Sequence, residues 1–317
     1  MALQIGGGIT LGGGITLVPD FGITVPGAPT IGTATPTGTT TATVAFTAPA
    51  SNGGATITTY TATSSPGNIT GTLNQAGSGT INITGLTAST SYTFTVTATN
   101  SVGTSSPSAS SNSITTNAAA PTVIGQSYGG GYYAGQISTA GNGVADYYLV
   151  VGPVASAQSS SGVQWKTTSS STSGTGSVIN GPTNTNNMNN ASHPAAYFCK
   201  GLTIGGYSDW YMPAKNELEV CYYNLKPSTA ANDTSTGTNT NAVPSRGSNY
   251  TSGVPAQTSA TDFRTTGAED FNVAYYWSST EYSPAGAFIQ YFGSGASSYG
   301  FKTSFNYRVR AIRRVAV

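Results

Sequence analysis

The chain has 317 residues, of which only 7% are charged and 10% aromatic, with a formal net charge of +1. Asp20 is the only Asp, Glu, Lys or Arg before Asp146, and every Lys and Arg lies from Lys166 onward, so no basic stripe is available for nucleic acid. Two cysteines cannot make a disulfide scaffold, and no apolar run is long enough to span a bilayer.

Residues 1–27 read as an extended, Gly-rich arm with a six-residue repeat, Gly6-Gly7-Gly8-Ile9-Thr10-Leu11 then Gly12-Gly13-Gly14-Ile15-Thr16-Leu17. An even period sends successive Ile and Leu to one face of an extended chain. Three adjacent glycines are costly to order alone, so a neighbouring subunit is expected to order this segment; a flexible linker is the alternative. Met1-Ala2-Leu3-Gln4 lacks a basic stretch, and the following glycines interrupt any apolar leader. No secretory signal is therefore expected, and lysis of the producing cell is the expected route out.

Residues 28–117 predict an all-β sandwich. Thr41-Ala42-Thr43-Val44-Ala45-Phe46 alternates, as does Ile57-Thr58-Thr59-Tyr60-Thr61-Ala62-Thr63, with Pro, Gly, Asn and Ser turns between. The longest alternation, Tyr92-Thr93-Phe94-Thr95-Val96-Thr97-Ala98, follows Leu86-Thr87. This pattern resembles the fibronectin type III domain, in which a tyrosine corner precedes an alternating strand. The resemblance makes Tyr92 the structural corner and Tyr60 the strand-C tyrosine. It puts Phe46 where that family usually buries a Trp. It implies a spacer. Residues 118–121 read as a linker.

Residues 122–317 carry long polar loops at 156–162, 169–176, 184–190 and 229–259, a length that points to function or insertion. Two helices are predicted. One spans 193–202, with Asn190 and Ser192 as candidate caps. The other spans 213–225, with Pro213 in its first turn and a stripe of Leu218, Cys221, Tyr222 and Leu225. Cys199 and Cys221 fall one on each helix, as buried thiols or as a facing pair; reduced and buried is favoured.

Gly205-Gly206-Tyr207-Ser208-Asp209-Trp210 leads into Lys215-Asn216-Glu217-Leu218. Tyr276-Trp277-Ser278-Ser279-Thr280-Glu281-Tyr282 comes later, and Arg308-Val309-Arg310-Ala311-Ile312-Arg313-Arg314 closes the chain. In that order they resemble the C-type-lectin-like domain of formylglycine-generating enzymes, of the Legionella collagen-like adhesin C-terminal domain and of phage fibre tips. The resemblance implies an α+β fold and makes Trp210 and Trp277 structural. It does not carry the enzyme activity over, because that family's late cysteine pair is missing. The Glu-Pro-Asn and Trp-Asn-Asp strings of calcium-dependent lectins are absent too, so Asp262, Glu269, Asp270 and Glu281 read as scattered acids. With one histidine, His193, and no nucleophile motif, no enzyme activity, metal or cofactor is expected.

The positive signal is residues 285–307, where rings are interleaved with Gly, Ser and Asn. Aromatic rings with small polar residues make a paratope-like surface of rigid contact area and adaptable hydrogen bonds. Tyr282, Phe288, Tyr291, Tyr299, Phe301, Lys302, Phe305 and Tyr307 are the candidate ligand-binding residues, with Lys302 the one charge among them. Alternation also predicts that some rings, Phe288 and Phe292 among them, turn inward with Val309. Arg308 and Arg310 are expected to pair with Asp209 or Glu217 in a structural clasp.

The expected protein is mainly β: a docking arm, a fibronectin-like spacer and a lectin-like tip. The expected function is that of a phage virion protein of the fibre, tail or head-decoration type, binding a host-surface glycan or protein non-covalently. Its expected setting is the virion, assembled in the host cytoplasm. Other virion subunits are the expected partners through residues 1–27, and a homo-oligomer is expected by analogy with fibres. A bacterial surface adhesin and a capsid or tube protein without a ligand are the rival readings.

Overall fold

The computed structural model describes residues 22–317 and, before them, the backbone of two short strands, β1 (Ile9–Leu11) and β2 (Ile15–Leu17). These pair antiparallel with Ile9 opposite Leu17, so the two copies of the repeat bond to each other. The expected apolar face of the arm and its docking partner lie outside the described residues. The chain divides into two units, Met1–Ala119 and Ala120–Val317.

Seven further strands build the first unit: β3 (Thr30–Pro36), β4 (Thr41–Thr47), β5 (Thr59–Ser65), β6 (Thr70–Leu73), β7 (Gly79–Thr84), β8 (Ser91–Thr99) and β9 (Ile114–Thr115). They form two sheets of order β3-β4-β7 and β6-β5-β8-β9. Along β4, β5 and β8 every second residue is buried, which leaves most threonines half-buried or exposed and turns Val44, Phe46, Tyr60, Phe94 and Val96 inward. Phe46 fills the expected Trp position, its ring 4.2 Å from that of Tyr60. Tyr92 is a tyrosine corner: its hydroxyl accepts the Thr87 backbone N–H at 3.0 Å. Along β8, Ser111, Ser108 and Ser105 present their hydroxyls to the N–H groups of Phe94, Val96 and Ala98 at 2.9–3.0 Å. Serines spaced by three thus occupy alternate donors that would otherwise be an open edge.

The second unit contains β10 (Ser127–Tyr128), β11 (Gly131–Ile137), β12 (Tyr147–Val151), α1 (Val154–Ala157), α2 (Gly181–Asn187), α3 (Pro194–Lys200), α4 (Lys215–Leu225), β13 (Ala242–Val243), β14 (Tyr275–Glu281), β15 (Gly286–Tyr291), β16 (Ser297–Phe301) and β17 (Ile312–Ala316). One sheet runs β10-β11-β12-β17 with β13 on β11; the other runs β14-β15-β16. The C-terminal strand pairs with β12, so the end of the unit closes onto its beginning. Four helices are present where two were expected: α1 and α2 fall in or beside segments read as loops.

Helix α4 begins where Glu217 folds back to accept the Ala214 N–H at 2.8 Å, one reciprocal bond of a capping box. Its stripe Leu218, Cys221, Tyr222 and Leu225 is buried against Ala134, Ile137 and Leu149. A second core gathers Trp165, Trp210, Trp277, Met212 and Val309 around α3. Cys221 belongs to the first core and Cys199 to the second; both thiols are free and buried.

The expected pairing of Arg308 and Arg310 is corrected. The clasp with Asp209 and Glu217 is made by the next two arginines, because β17 starts at Ile312 and carries Arg313 and Arg314 to those acids. Arg313 binds Asp209 in a bidentate pair at 2.7 and 2.9 Å, and Arg314 meets Glu217 at 2.7 Å. Arg310 instead lies inside the fold against Glu269, and Arg308 donates to the Ser159 carbonyl at 3.2 Å. Arg310 being so deep, burial lowers its pKa to about 10 despite Glu269.

Candidate functional site

The sheet β14-β15-β16 carries the candidate surface. In β16, Tyr299 and Phe301 face outward while Gly300 between them is buried. A Cβ on Gly300 would come within 2.5 Å of the Tyr307 ring and 3.0 Å of Trp277. The missing side chain therefore lets Tyr307 lie across Trp277, centroids 4.9 Å apart, and continue the outer layer.

Eight rings form one continuous chain on this surface. Tyr291 meets Tyr275 at 4.8 Å, Tyr275 meets Tyr307 at 5.1 Å, and Tyr307 meets Phe305 at 5.3 Å. Phe305 stacks on Phe301 at 5.9 Å, and Phe301 meets Tyr299 edge-on at 6.4 Å. Tyr299 then lies parallel to Tyr282 at 4.4 Å, and Tyr282 meets Phe288 at 5.2 Å. Tyr282, Tyr299 and Phe301 are about half exposed (52, 48 and 50%). All but the closest of these separations (Tyr282–Tyr299) lie within the ~4.5–7 Å of favourable ring pairs, and that one falls just short of it, so the rings hold one another rigid while presenting open faces.

Seven of the eight candidate residues therefore lie together. Phe288 and Tyr291 are half-buried, while Phe292 and Val309 belong to the core. Tyr275 is an addition; it is the cross-strand partner of Tyr291 in the β14–β15 register, a pairing that does not show in the sequence.

Lys302 is the correction. It is fully buried beneath the rings: its ammonium contacts Glu281 at 3.0 Å and donates to the carbonyls of Pro284 and Ser170 at 3.1 and 3.3 Å. Phe301 points out, so its neighbour in the turn points in, where the loop 169–176 supplies oxygens. Burial lowers the pKa of Lys302, opposed by Glu281. Burial works to raise Glu281, but the Thr172 N–H, Lys302 and the Thr175 hydroxyl outweigh it and hold its carboxyl below the usual range. Lys166 wraps the same loop, donating to Ser170, Ser171 and Thr172 at 2.9–3.0 Å. The cation that does reach the ring chain is Lys215, 5.0 Å from the Phe288 centroid.

His193 is buried at the N-terminus of α3, where no side-chain cap is made. Its two nitrogens contact Asn190 and Thr172 at 2.9 and 2.8 Å. Burial raises both thiol pKa values well above the ordinary range. Among the described residues no three of His, Cys, Asp and Glu converge as a metal site, and no helix is long and apolar enough to cross a membrane.

Residues 27–114 match the fibronectin type III domain and residues 157–313 match the Lcl C-terminal domain. The chain thus carries a fibronectin type III domain followed by an Lcl C-terminal domain, the make-up of an adhesin-like recognition protein. No curated protein matches it. Among solved structures, titin kinase with its flanking domains is 28% identical over 29% of this chain and 17% of that one, with a TM-score of 0.25. The twitchin kinase region of C. elegans is 22% identical over 30% of this chain and 17% of that one, TM-score 0.26. The FN5 domain of Drosophila Lar is 26% identical over 30% of this chain and 100% of that domain, TM-score 0.24. The chain spans only 17% of the length of the titin kinase and twitchin structures.

Proposed function

We propose that the chain is a phage virion structural protein, of the fibre, tail or head-decoration type, whose C-terminal domain binds a host-surface glycan. The observation that carries this reading is the eight-ring chain, with Tyr282, Tyr299 and Phe301 about half exposed. Flat rings held by their neighbours bind at little entropic cost, and their faces suit the apolar faces of sugar rings. Recognition is non-covalent: both thiols are buried, and the only histidine is engaged on both nitrogens. In this reading the fibronectin domain is a spacer, and residues 1–27 dock to other virion subunits in a homo-oligomeric assembly released by lysis.

The test uses labelled full-length chain on a panel of bacterial cells. The protein should be retained by a subset of strains, the triple variant Tyr282→Ala, Tyr299→Ala, Phe301→Ala should lose retention, and periodate treatment of the cells should abolish it. Equal retention of parent and variant refutes the surface. Retention that survives periodate but not protease assigns a protein receptor instead. Mass spectrometry of purified particles should find the chain; its absence there refutes the virion setting.

A further inference from the structure

Beside Phe288, at one end of the ring chain, the surface sinks into a cleft of about 230 Å³ between α4, the loop segments at 235–238 and 249–250, and the β15–β16 pair. That is below the ~300–1,000 Å³ of drug-sized sites and leaves room for one small ring.

The free hydrogen-bonding groups in its lining decide what the cleft can hold. Asn216 donates Nδ2–H to Asn241 at 2.8 Å and Gln290 donates Nε2–H to the Gly295 carbonyl at 2.6 Å, which fixes both amides. Their oxygens accept no hydrogen bond from the described residues, although Gln290 is buried. Asn249 accepts the Thr238 hydroxyl at 2.9 Å, leaving its Nδ2–H groups without an acceptor among the described residues; the same is true of Ser297 Oγ and Lys215 Nζ. Glu219 also borders the cleft, but Tyr250, Asn239 and Arg246 already occupy its carboxylate. An anion requires donors alone and a cation acceptors alone. Here fixed acceptors and free donors stand side by side next to an aromatic ring. A hydroxyl donates and accepts at once, so a polyhydroxylated neutral ring satisfies both sets.

We propose that this cleft is a subsite for a single neutral pyranose, packed against Phe288 and hydrogen-bonded by Asn216, Asn249, Gln290 and Ser297. It rests on the glycan-recognition reading and adds to it. The ring chain would take successive sugar faces along a polymer, and the cleft would take its terminal residue.

The test is a titration of ¹⁵N-labelled full-length chain with the methyl α-glycosides of glucose, galactose, mannose and N-acetylglucosamine, following the side-chain amides of Asn216, Asn249 and Gln290. Sodium glucuronate and inorganic phosphate serve as charged probes. At least one neutral glycoside should move these amides with a dissociation constant on the order of 1 mM, the strength a dozen heavy atoms support. Asn249→Ala, at an exposed position, should weaken binding about tenfold by removing one hydrogen bond, and Ser297→Tyr should abolish it by filling the cleft. No shift with any neutral glycoside up to roughly 50 mM, well past that millimolar range, overturns the proposal, as does a preference for glucuronate or phosphate. If cells retain the parent protein but not the triple ring variant while the cleft amides stay still, the subsite fails and the recognition reading stands. If a glycoside fills the cleft but no cells are bound, the reverse holds.

Discussion

Arg310 and Glu269 meet at 2.8 Å with the arginine side chain wholly buried, and the same carboxylate accepts the Val154 N–H at 2.7 Å. The guanidinium also donates to the Gly152 and Glu269 carbonyls at 2.9 Å and lies 4.7 Å from the Phe271 ring centre. Removing one partner of such a pair strands a charge in the interior. Glu269→Ala should therefore destabilise the second unit by about 3–5 kcal/mol, while replacing both residues with apolar ones of similar size should recover much of that loss. Urea unfolding of the full chain checks it, and a loss under about 1 kcal/mol, the worth of a surface pair, would sink the idea.

Rings of similar chemistry should separate by face. Tyr299 is about half exposed, whereas Phe292 is fully buried with its ring 4.0 Å from Phe271. Tyr299→Ala, which loses two ring contacts, should cost about 1–2 kcal/mol and weaken retention on cells. Phe292→Ala should cost about 3–5 kcal/mol through lost burial and a cavity. Thermal melts beside the cell assay decide it; a Tyr299→Ala protein that melts as early as Phe292→Ala but binds normally contradicts the assignment.

How legible the fold was follows from what each segment buries. In β4, β5 and β8 of the first unit, threonine alternates with apolar residues and each strand has one buried face, so period two can be read directly. Helix α4 shows its period through Leu218, Cys221, Tyr222 and Leu225 for the same reason. Helix α2, Gly-Pro-Thr-Asn-Thr-Asn-Asn, has no apolar stripe. Asn180 caps it by accepting the Thr183 N–H at 3.2 Å, and Asn184 and Thr185 tie it to the Ser177 and Met212 carbonyls at 2.7 and 3.2 Å. The Thr185–Met212 bond spans 27 residues and leaves no local pattern, whereas the Asn180 cap with Pro182 in the first turn is a local start signal for the helix. The rings are visible as composition, but the inward turn of Lys302 depends on oxygens gathered by the tertiary fold, from Glu281 and Pro284 and from Ser170, 132 positions away. The arginine partners differ from the expected ones because nothing in the sequence marks where the last strand starts, at Ile312.

Cys199 and Cys221 belong to separate cores, and burial pushes both thiols far above their ordinary pKa. The thiolate is the reactive form, so neither should react with a thiol reagent such as dithionitrobenzoate in the native protein, and both should react in denaturant. Reductant should not change the melting temperature. One equivalent of fast native reaction, or a melt that shifts with reductant, contradicts this placement.

His193 gives the chain a specific pH dependence. One ring nitrogen faces the Asn190 side-chain amide oxygen at 2.9 Å, and the other faces the Thr172 hydroxyl at 2.8 Å, whose oxygen also accepts from Lys166 at 2.9 Å. Burial, then Lys166 and Lys302, lower its pKa from 6.5 to about 4, against a smaller opposing effect of Glu281. A folded-state value below the unfolded one means that the unfolded chain binds more protons between those limits. The resulting stability is complete above pH 6.5 and is lost as pH falls toward 4, by up to about 1.4 kcal/mol per pH unit. Glu281, held below 4.5, would add its own loss at lower pH, while Glu217, raised by burial, has the opposite sign. Comparing the parent with His193→Gln cancels both carboxylates. The parent should lose stability more steeply than the variant between pH 6.5 and 4, measured by urea unfolding at stepped pH, and parallel curves would show that the imidazole does not titrate this way.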